Sequence, residues 1–164
     1  MAYLAEELSE LREYLKAIPD QVAELRDKID AMVDDFNVLD KYRYELANDD
    51  FKAKWAAIGW PDQIDKLLKH AEDALMTDEQ NFIRNLQQDQ DLFKEKLHHL
   101  AGVISDFARH SDLNKLAEIV AEVQRVTLEL NEAQALSQLY NSRERLFALP
   151  VTNYDELTFM VKGL

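Results

Sequence analysis

The side chains that could bind a metal or transfer a proton are few in this sequence. Its four histidines are His70, His98, His99 and His110. Glu95 and His99 are four residues apart, so a helix would place them on one face, where they could hold a metal ion. A pair at this spacing is far more often a solvated salt bridge on the surface. We therefore predict no metal site there.

Two acidic segments raise the question of calcium: Asn48-Asp49-Asp50 and Asp89-Gln90-Asp91. A helix–loop–helix calcium site needs a glycine at the sixth position of its loop and a glutamate at the twelfth. Neither segment supplies that glycine, so both are interpreted as solvated faces. The glycines at 59, 102 and 163 stand far apart, which excludes a glycine-rich phosphate loop and a nucleophile elbow. The sequence predicts no catalytic residue, no metal and no cofactor.

The net charge of −13, from 19 basic and 32 acidic residues, restricts the partners. An acidic surface repels phosphate backbones and anionic lipids, so neither nucleic acid nor a membrane is expected as a partner. No apolar run approaches the roughly 20 residues of a membrane span. The N-terminus lacks the basic and apolar regions of a signal peptide. With no cysteine in the chain, we expect a cytoplasmic protein of a reducing compartment.

The backbone that must position these side chains is predicted to be all-α. Three glycines and three prolines among 164 residues are too few for a protein with many turns. Apolar residues recur at spacings of three and four from Leu4 to Ile18, where Pro19 should end or kink the first helix. A second stripe runs from Val22 to Leu39. It becomes irregular near Asn48-Asp49-Asp50, which either interrupts the helix or caps a short new one.

The segment Gly59-Trp60-Pro61-Asp62 predicts the clearest internal break, with Gly59 in a left-handed helix end and Pro61 in the first turn of the next helix. A heptad seam then runs from about 62 to 109. Gly102 interrupts it and could allow a close helix crossing. The segment His110-Ser111-Asp112 predicts the next break, with Ser111 or Asp112 as the cap of a third long helix.

Because the links near Gly59 and Ser111 are short, successive helices should be antiparallel neighbours. We expect an elongated antiparallel bundle of long, coiled-coil-like helices with a short additional helix at each end. Its predicted parts are 1–58 (a hairpin and the first long helix), 59–110, 111–149, and 150–164, the start of a junction. The bundle as a whole has the character of a fragment of a larger protein.

The stretch 141–157 is the most specific in the chain. Pro150 restricts the residue before it, so the third helix should stop near Leu149. Thr152 or Asn153 can cap a new helix, with Asp155 and Glu156 favourably placed in its first turn.

Aromatic residues beside the predicted breaks have two possible roles. Trp55 and Trp60, with Phe51, either plug the end of the bundle or form an exposed recognition surface, and the plug is the commoner arrangement. Phe147, Leu149 and Tyr154 are likewise interpreted as a structural clamp around Pro150. The predicted structural positions are Trp55, Trp60, Pro61, Phe147, Leu149, Pro150 and Tyr154.

Two motifs in this order resemble the dynein heavy chain, in the tail segment just ahead of the linker, and most strongly its axonemal type. The first motif is residues 51–55 followed by 59–64, FKAKW and GWPDQI; the second is residues 140–157, YNSRERLFALPVTNYDEL. The likeness covers roughly residues 30–164. The family commonly has glycine where Ala148 stands and an acidic residue where Asn153 stands. Alanine makes a left-handed turn at 148 less favourable.

The resemblance implies that the parent chain is a microtubule motor that hydrolyses ATP in modules absent from these residues. This piece would then be a non-catalytic tail or neck segment that transmits force, located in the cytoskeleton of a cilium or flagellum axoneme. Its implied partners are the linker and upstream tail of the same heavy chain, a second heavy chain, or intermediate and light chains. The alternatives are a spectrin-like scaffold, another coiled-coil interaction module, and, with least support, a helical enzyme or metalloprotein.

Overall fold

The computed structural model describes residues 2–107, 109 and 116–163, with side chains from residue 5 onward. Within these residues the chain forms four α-helices and no strand, which confirms the all-α prediction. The helices are α1 (Ala2–Lys41), α2 (Asn48–Phe107), α3 (Leu116–Leu146) and α4 (Asp155–Gly163). No helix in the described part of the chain is long and apolar enough to cross a membrane. The chain divides into two compact units, Met1–Glu79 and Gln80–Leu164.

The first unit is built from α1 and the beginning of α2. Arg12 donates a hydrogen bond to Glu79 over 2.7 Å, and Arg26 donates to Asp65 over 2.5 Å. Since the partner's number falls as the first number rises, the two helices run antiparallel. The buried side chains of this unit include Ala5, Leu8, Leu15, Val22, Pro61 and Leu75.

The second unit contains the rest of α2 together with α3 and α4. Phe82 stacks on Phe147, and Phe93 meets Tyr140 edge-on, so α2 and α3 are also antiparallel. Met160 and Leu157 bring α4 into the same core. The predicted seam on α2 is confirmed in this unit, where its buried members are Leu86, Phe93, Leu97 and Leu100.

The predicted break at Gly59 and Pro61 is wrong, and of the two alternatives for Pro19, an end or a kink of the first helix, the end is wrong. Pro19 lies inside α1, and α2 passes through both Gly59 and Pro61. Gly59 does not adopt a left-handed conformation. A proline inside a helix lacks one hydrogen bond, but buried positions continue on both sides of Pro19, at Leu15 and Val22. Packing of the apolar stripe therefore outweighs the local signal, as it commonly does in proteins.

The link in the first unit lies instead between Lys41 and Asn48, at the irregular position that the sequence left open. The first long helix therefore ends at Lys41 and not at residue 58, and the second starts at Asn48 and not at residue 59. The division of the chain into parts at 110 and 149 stays a prediction. The predicted caps Ser111 and Asp112 lie outside the described residues. A close helix crossing, one possible reason for Gly102, is not observed, since an added Cβ would meet no atom of the described residues within 4 Å.

Candidate functional site

The third helix ends in a tight turn at the predicted junction. Ala148 is left-handed, with φ 52°. The Leu149 N–H donates to the Glu144 carbonyl over 2.8 Å, and the Ala148 N–H donates to the Arg145 carbonyl over 3.2 Å. This pair of hydrogen bonds, six-to-one and five-to-two, defines a Schellman motif. The turn that alanine was expected to disfavour is present nonetheless, and α3 ends at Leu146 rather than near Leu149.

The Glu144 carboxylate organises the residues after this turn. Its side chain is buried, with only 3% of the residue exposed. Thr152 donates to it twice, from its backbone N–H to Oε2 over 2.9 Å and from its hydroxyl to Oε1 over 2.5 Å. With the Asn141 amide turned so that its nitrogen faces acceptors, that nitrogen also donates to Oε2 over 3.1 Å. These hydrogen bonds thus hold the segment after the turn against α3, the helix that precedes it.

A glutamine on the facing helix completes this carboxylate's set of donors. Gln90 is buried on α2 and donates to Glu144 Oε1 over 2.8 Å. The same Gln90 nitrogen donates to the Tyr154 hydroxyl over 3.2 Å. Charge-assisted hydrogen bonds of this kind are roughly twice as strong as neutral ones. One carboxylate therefore joins α2, α3 and the segment that leads into α4.

Aromatic rings surround this polar cluster. Phe93 contacts Tyr140 at a centroid distance of 5.4 Å and Tyr154 at 5.2 Å, both edge-on. Phe82 stacks on Phe147 at 4.9 Å. These contacts bury apolar area, and they also fix the orientation of the rings relative to one another.

Arg143 also lies buried in this region. Its guanidinium carbon is 5.7 Å from the centre of the Phe82 ring, a cation–π arrangement. In the part of the chain that the structure describes, its Nε has no hydrogen-bond partner. The ring of Phe82 thus contacts both a cation and the Phe147 ring.

The environment shifts the acid–base behaviour of the cluster. Burial by itself would raise the pKa of Glu144. The hydrogen bonds from Thr152 and Gln90 and the charge of Lys94 outweigh it, so this pKa lies below its ordinary value of 4.5. Burial raises the pKa of Tyr140, helped by the charge of Asp89 and opposed by Arg143. Burial likewise raises the pKa of Tyr154. At neutral pH the cluster therefore holds one anion and two neutral phenols.

The structure separates the predicted site residues into two groups. Phe147 is buried, and Leu149 and Tyr154 pack against the core cluster, whereas Pro150 is exposed. Neither Thr152 nor Asn153 is the cap of α4, because α4 begins at Asp155 and the Thr152 hydroxyl binds Glu144. Asp155 and Glu156 lie in the first turn as predicted.

The other group lies in the first unit and is not a plug. Trp55 and Trp60 are 55% and 52% exposed, so the preferred interpretation is wrong and the alternative of an exposed surface agrees with the structure. Pro61 is buried, but inside α2 rather than at a helix start. The sequence therefore singled out these aromatic residues, but it did not predict whether their side chains are buried.

Sequence reasoning missed the buried Arg143 and the hydrogen bonds that fasten the junction, which join Glu144 to Gln90 and to Thr152. It had named Thr152 only as a possible helix cap. A signal was present, because Gln90 falls between Leu86 and Phe93 on the seam of α2, and Glu144 falls between Tyr140 and Phe147 on the seam of α3. A buried polar residue must find a hydrogen-bonding partner. Two polar interruptions on facing seams could have been paired in advance.

The arrangement offers structural rather than chemical possibilities. Among the described residues there is no group of three or more histidine, cysteine or acidic side chains that could hold a metal. His98 contacts Glu156 over 3.3 Å at the surface, and this pair is charged on both sides only when the histidine is protonated. The geometry supports a fixed joint between α3 and α4.

Comparison with known proteins points first to a class. Matches at about 40% identity over 84–96% of this chain are all to dynein heavy chains, so the sequence corresponds to a segment of a dynein heavy chain. No family model matches the chain. The resemblance to dynein heavy chains is thereby confirmed.

Three of these relatives carry the same protein name. The chain is 42% identical over 157 residues to dynein axonemal heavy chain 1 of Homo sapiens, and 41% identical over 157 residues to that of Mus musculus. It is 40% identical over 138 residues to the protein of the same name in Rattus norvegicus. The alignments cover 96%, 96% and 84% of this chain. The chain spans only 3–4% of the length of these relatives.

Proposed function

We propose that this chain is a non-catalytic segment of the tail or neck of an axonemal dynein heavy chain, placed just before the linker, and that it transmits force. One observation carries the proposal: the buried Glu144 carboxylate fastens the segment after α3 to two helices at once. Such a joint fixes the direction in which the chain leaves α3. The likeness to dynein heavy chains over 96% of the chain gives that joint its context.

The two helix pairs support a mechanical role. In each unit the helices are antiparallel and share side-chain contacts along their length, such as Arg26 with Asp65 in the first unit and Phe93 with Tyr140 in the second. Paired helices resist bending and sliding better than one helix, because each contact must be broken before the helices shift. The junction then passes load from α3 into α4.

The names of the relatives support a cellular setting for the segment. We infer a cytoskeletal location in the axoneme of a cilium or flagellum, within a microtubule motor whose ATPase modules lie outside this segment. The inferred partners are the linker and the upstream tail of the same heavy chain, with a second heavy chain and intermediate or light chains as further candidates. These assignments rest on the dynein matches.

The test is made in the full-length heavy chain. Glu144→Gln should lower microtubule gliding velocity and stall force several-fold while the microtubule-stimulated ATPase rate stays within about twofold of the original. The matched control is Glu132→Gln, because Glu132 is an exposed glutamate on the same helix. Equal gliding by both variants would refute a force-transmitting role. Parallel loss of ATPase activity in Glu144→Gln would instead indicate a part in the motor's chemical cycle.

A further inference from the structure

The end of the α1–α2 hairpin in the first unit exposes a cluster of aromatic and aliphatic side chains. We call it the hairpin-end surface and define it by Phe36, Leu39, Tyr42, Tyr44, Phe51 and Trp55. Phe51 and Trp55 contact each other edge-on, with 6.3 Å between ring centres. All members except the half-buried Phe36 are exposed, and Tyr42 reaches 79%.

This surface lies in a region where the helix pair has no buried core. No residue from 23 to 60 is buried, although apolar side chains are frequent there. Scattered exposed apolar residues are normal on a protein surface, but a contiguous patch marks an interaction site. The enrichment in tyrosine, phenylalanine and tryptophan matches the composition of protein–protein interfaces.

A groove of about 490 Å³ runs across the surface. Its apolar walls come from Phe36, Leu39, Tyr44, Leu46 and Phe51, and its charged walls come from Asp40, Glu45 and Lys54. The Lys54 ammonium lies 5.0 Å from the centre of the Phe36 ring and 5.4 Å from that of Trp55, so aromatic faces already surround it.

Within the described part of the chain, the two carboxylates of the groove have no cationic partner. Among the ion pairs formed by the described residues, none involves Asp40 or Glu45. A groove with both apolar and polar walls, on which two carboxylates form no ion pair among the described residues, matches a ligand that is apolar and cationic at once. A second copy of this chain, with its net charge of −13, fits poorly because like charges repel.

We propose that the hairpin-end surface binds a basic amphipathic segment of a partner protein. Its apolar side chains pack against Tyr44 and Phe51, and its lysine or arginine side chains pair with Asp40 and Glu45. Burial of the aromatic rings supplies affinity, and the two ion pairs favour basic over acidic partners. The proposal concerns the first unit alone and does not depend on the role of the Glu144 junction.

The experiment uses the 164-residue chain with Trp60→Phe, which leaves Trp55 as the one tryptophan of the sequence. The probe is a 16-residue peptide with leucine and lysine at helical spacing, titrated in 150 mM salt while Trp55 fluorescence is recorded. We expect saturable binding with a blue shift of the emission. The same peptide with glutamate in place of lysine should not bind.

Matched variants locate the binding. Phe51→Ser should weaken it about tenfold, whereas Leu67→Ser, at another exposed apolar position of α2, should change it less than twofold. Asp40→Asn with Glu45→Gln should weaken it about fivefold. Asp27→Asn with Asp30→Asn removes the same charge from an exposed part of α1 and should leave it within twofold. Circular dichroism of each variant verifies that helix content is unchanged.

Three results would overturn the proposal. Equal weakening by the two charge pairs would show non-specific attraction to an acidic protein. Equal binding of the glutamate peptide would show that the carboxylates do not select the partner. A concentration-dependent dimer in sedimentation velocity, abolished by Phe51→Ser, would show that a second copy occupies the surface.

Discussion

Two helix ends in this chain have the same backbone turn and opposite surroundings. At the end of α1, Arg43 is left-handed with φ 56°, and the Tyr44 N–H donates to the Leu39 carbonyl over 3.0 Å. At the end of α3, Ala148 and Leu149 repeat this geometry with the Glu144 carbonyl. Both are Schellman motifs. The hydrogen bonds that stop a helix are thus independent of whether the turn is buried.

The side chains at equivalent positions decide what each turn does. Phe147 precedes the left-handed residue at the end of α3 and is 8% exposed, whereas Tyr42 holds this position at the end of α1 and is 79% exposed. Glu144 and Leu39 supply the equivalent carbonyls, yet only Glu144 is buried. One turn is closed on a core, and the other presents its aromatic residues to solvent.

The largest expected effect contrasts Phe147 and Tyr42. Phe147→Ala removes a buried ring that stacks on Phe82, and should lower the free energy of unfolding by about 3 kcal/mol. Tyr42→Ala changes an exposed side chain and should lower it by less than about 0.5 kcal/mol. Urea unfolding followed by far-UV circular dichroism measures both. Similar losses in the two variants would remove the distinction between a closed and an open turn.

The next effect concerns the charge at the closed turn. Glu144→Gln places an amide nitrogen against existing donors and should destabilise the second unit by about 2 kcal/mol. Since folding lowers the pKa of Glu144 below 4.5, the ionised carboxylate stabilises the fold above its unfolded-state pKa. This contribution is lost as the pH falls through the lower, folded-state pKa.

Unfolding curves at pH values from 7 down to 3 test this dependence. The chain should lose more stability across the acid range than its Glu144→Gln variant does. Glu132→Gln, at an exposed position of the same helix, should retain the full pH dependence. If Glu144→Gln kept it as well, the carboxylate would not be the group responsible.

A smaller effect compares the backbones of the two turns. A left-handed conformation costs an ordinary residue about 1 kcal/mol relative to glycine. Ala148→Gly and Arg43→Gly should therefore each raise the free energy of unfolding of their own unit by about 1 kcal/mol. Amide hydrogen exchange reports the two units separately. Stabilisation at one turn alone would show that the two backbones are not equivalent.

The smallest effect concerns a glycine that no turn requires. Gly59 lies inside α2, and an added Cβ would meet no atom of the described residues within 4 Å. Gly59→Ala should stabilise the first unit by roughly 0.8 kcal/mol, which is the difference in helix propensity. The midpoint of thermal unfolding should rise by a few degrees. A lower midpoint would show that Gly59 serves as a helix break after all.

The helical class and the apolar seams could be predicted from this sequence because both depend on regular spacing. The seam through Leu86, Phe93 and Leu97 is an example. The positions of breaks were harder to predict. Gly59 and Pro61 carry strong local signals for a break, yet α2 runs through both of them. The turn after Lys41 forms instead at Arg43, a residue type that gives no signal for a left-handed turn.

The sequence predicted where the candidate site lies, but not the polar interactions at its centre. Phe147, Leu149 and Tyr154 were expected to form a clamp, and all three pack in or against the core. Its polar centre was missed because the pairing of Gln90 with Glu144 joins residues 54 positions apart. The exposure of Trp55 could not be predicted from the sequence either, because a tryptophan beside a helix end is compatible with both a plug and an exposed surface.

The double attachment of Thr152 to Glu144 limits how the sequence can change over generations. Loops ordinarily accept insertions and deletions, yet here the Leu149 N–H is held to the Glu144 carbonyl and the Thr152 N–H to the Glu144 carboxylate. Both ends of the four-residue span from Leu149 to Thr152 are therefore tied to one residue. Adding or removing a single codon between them would break one of the two ties, so this stretch should keep a constant length even where its residues are exchanged.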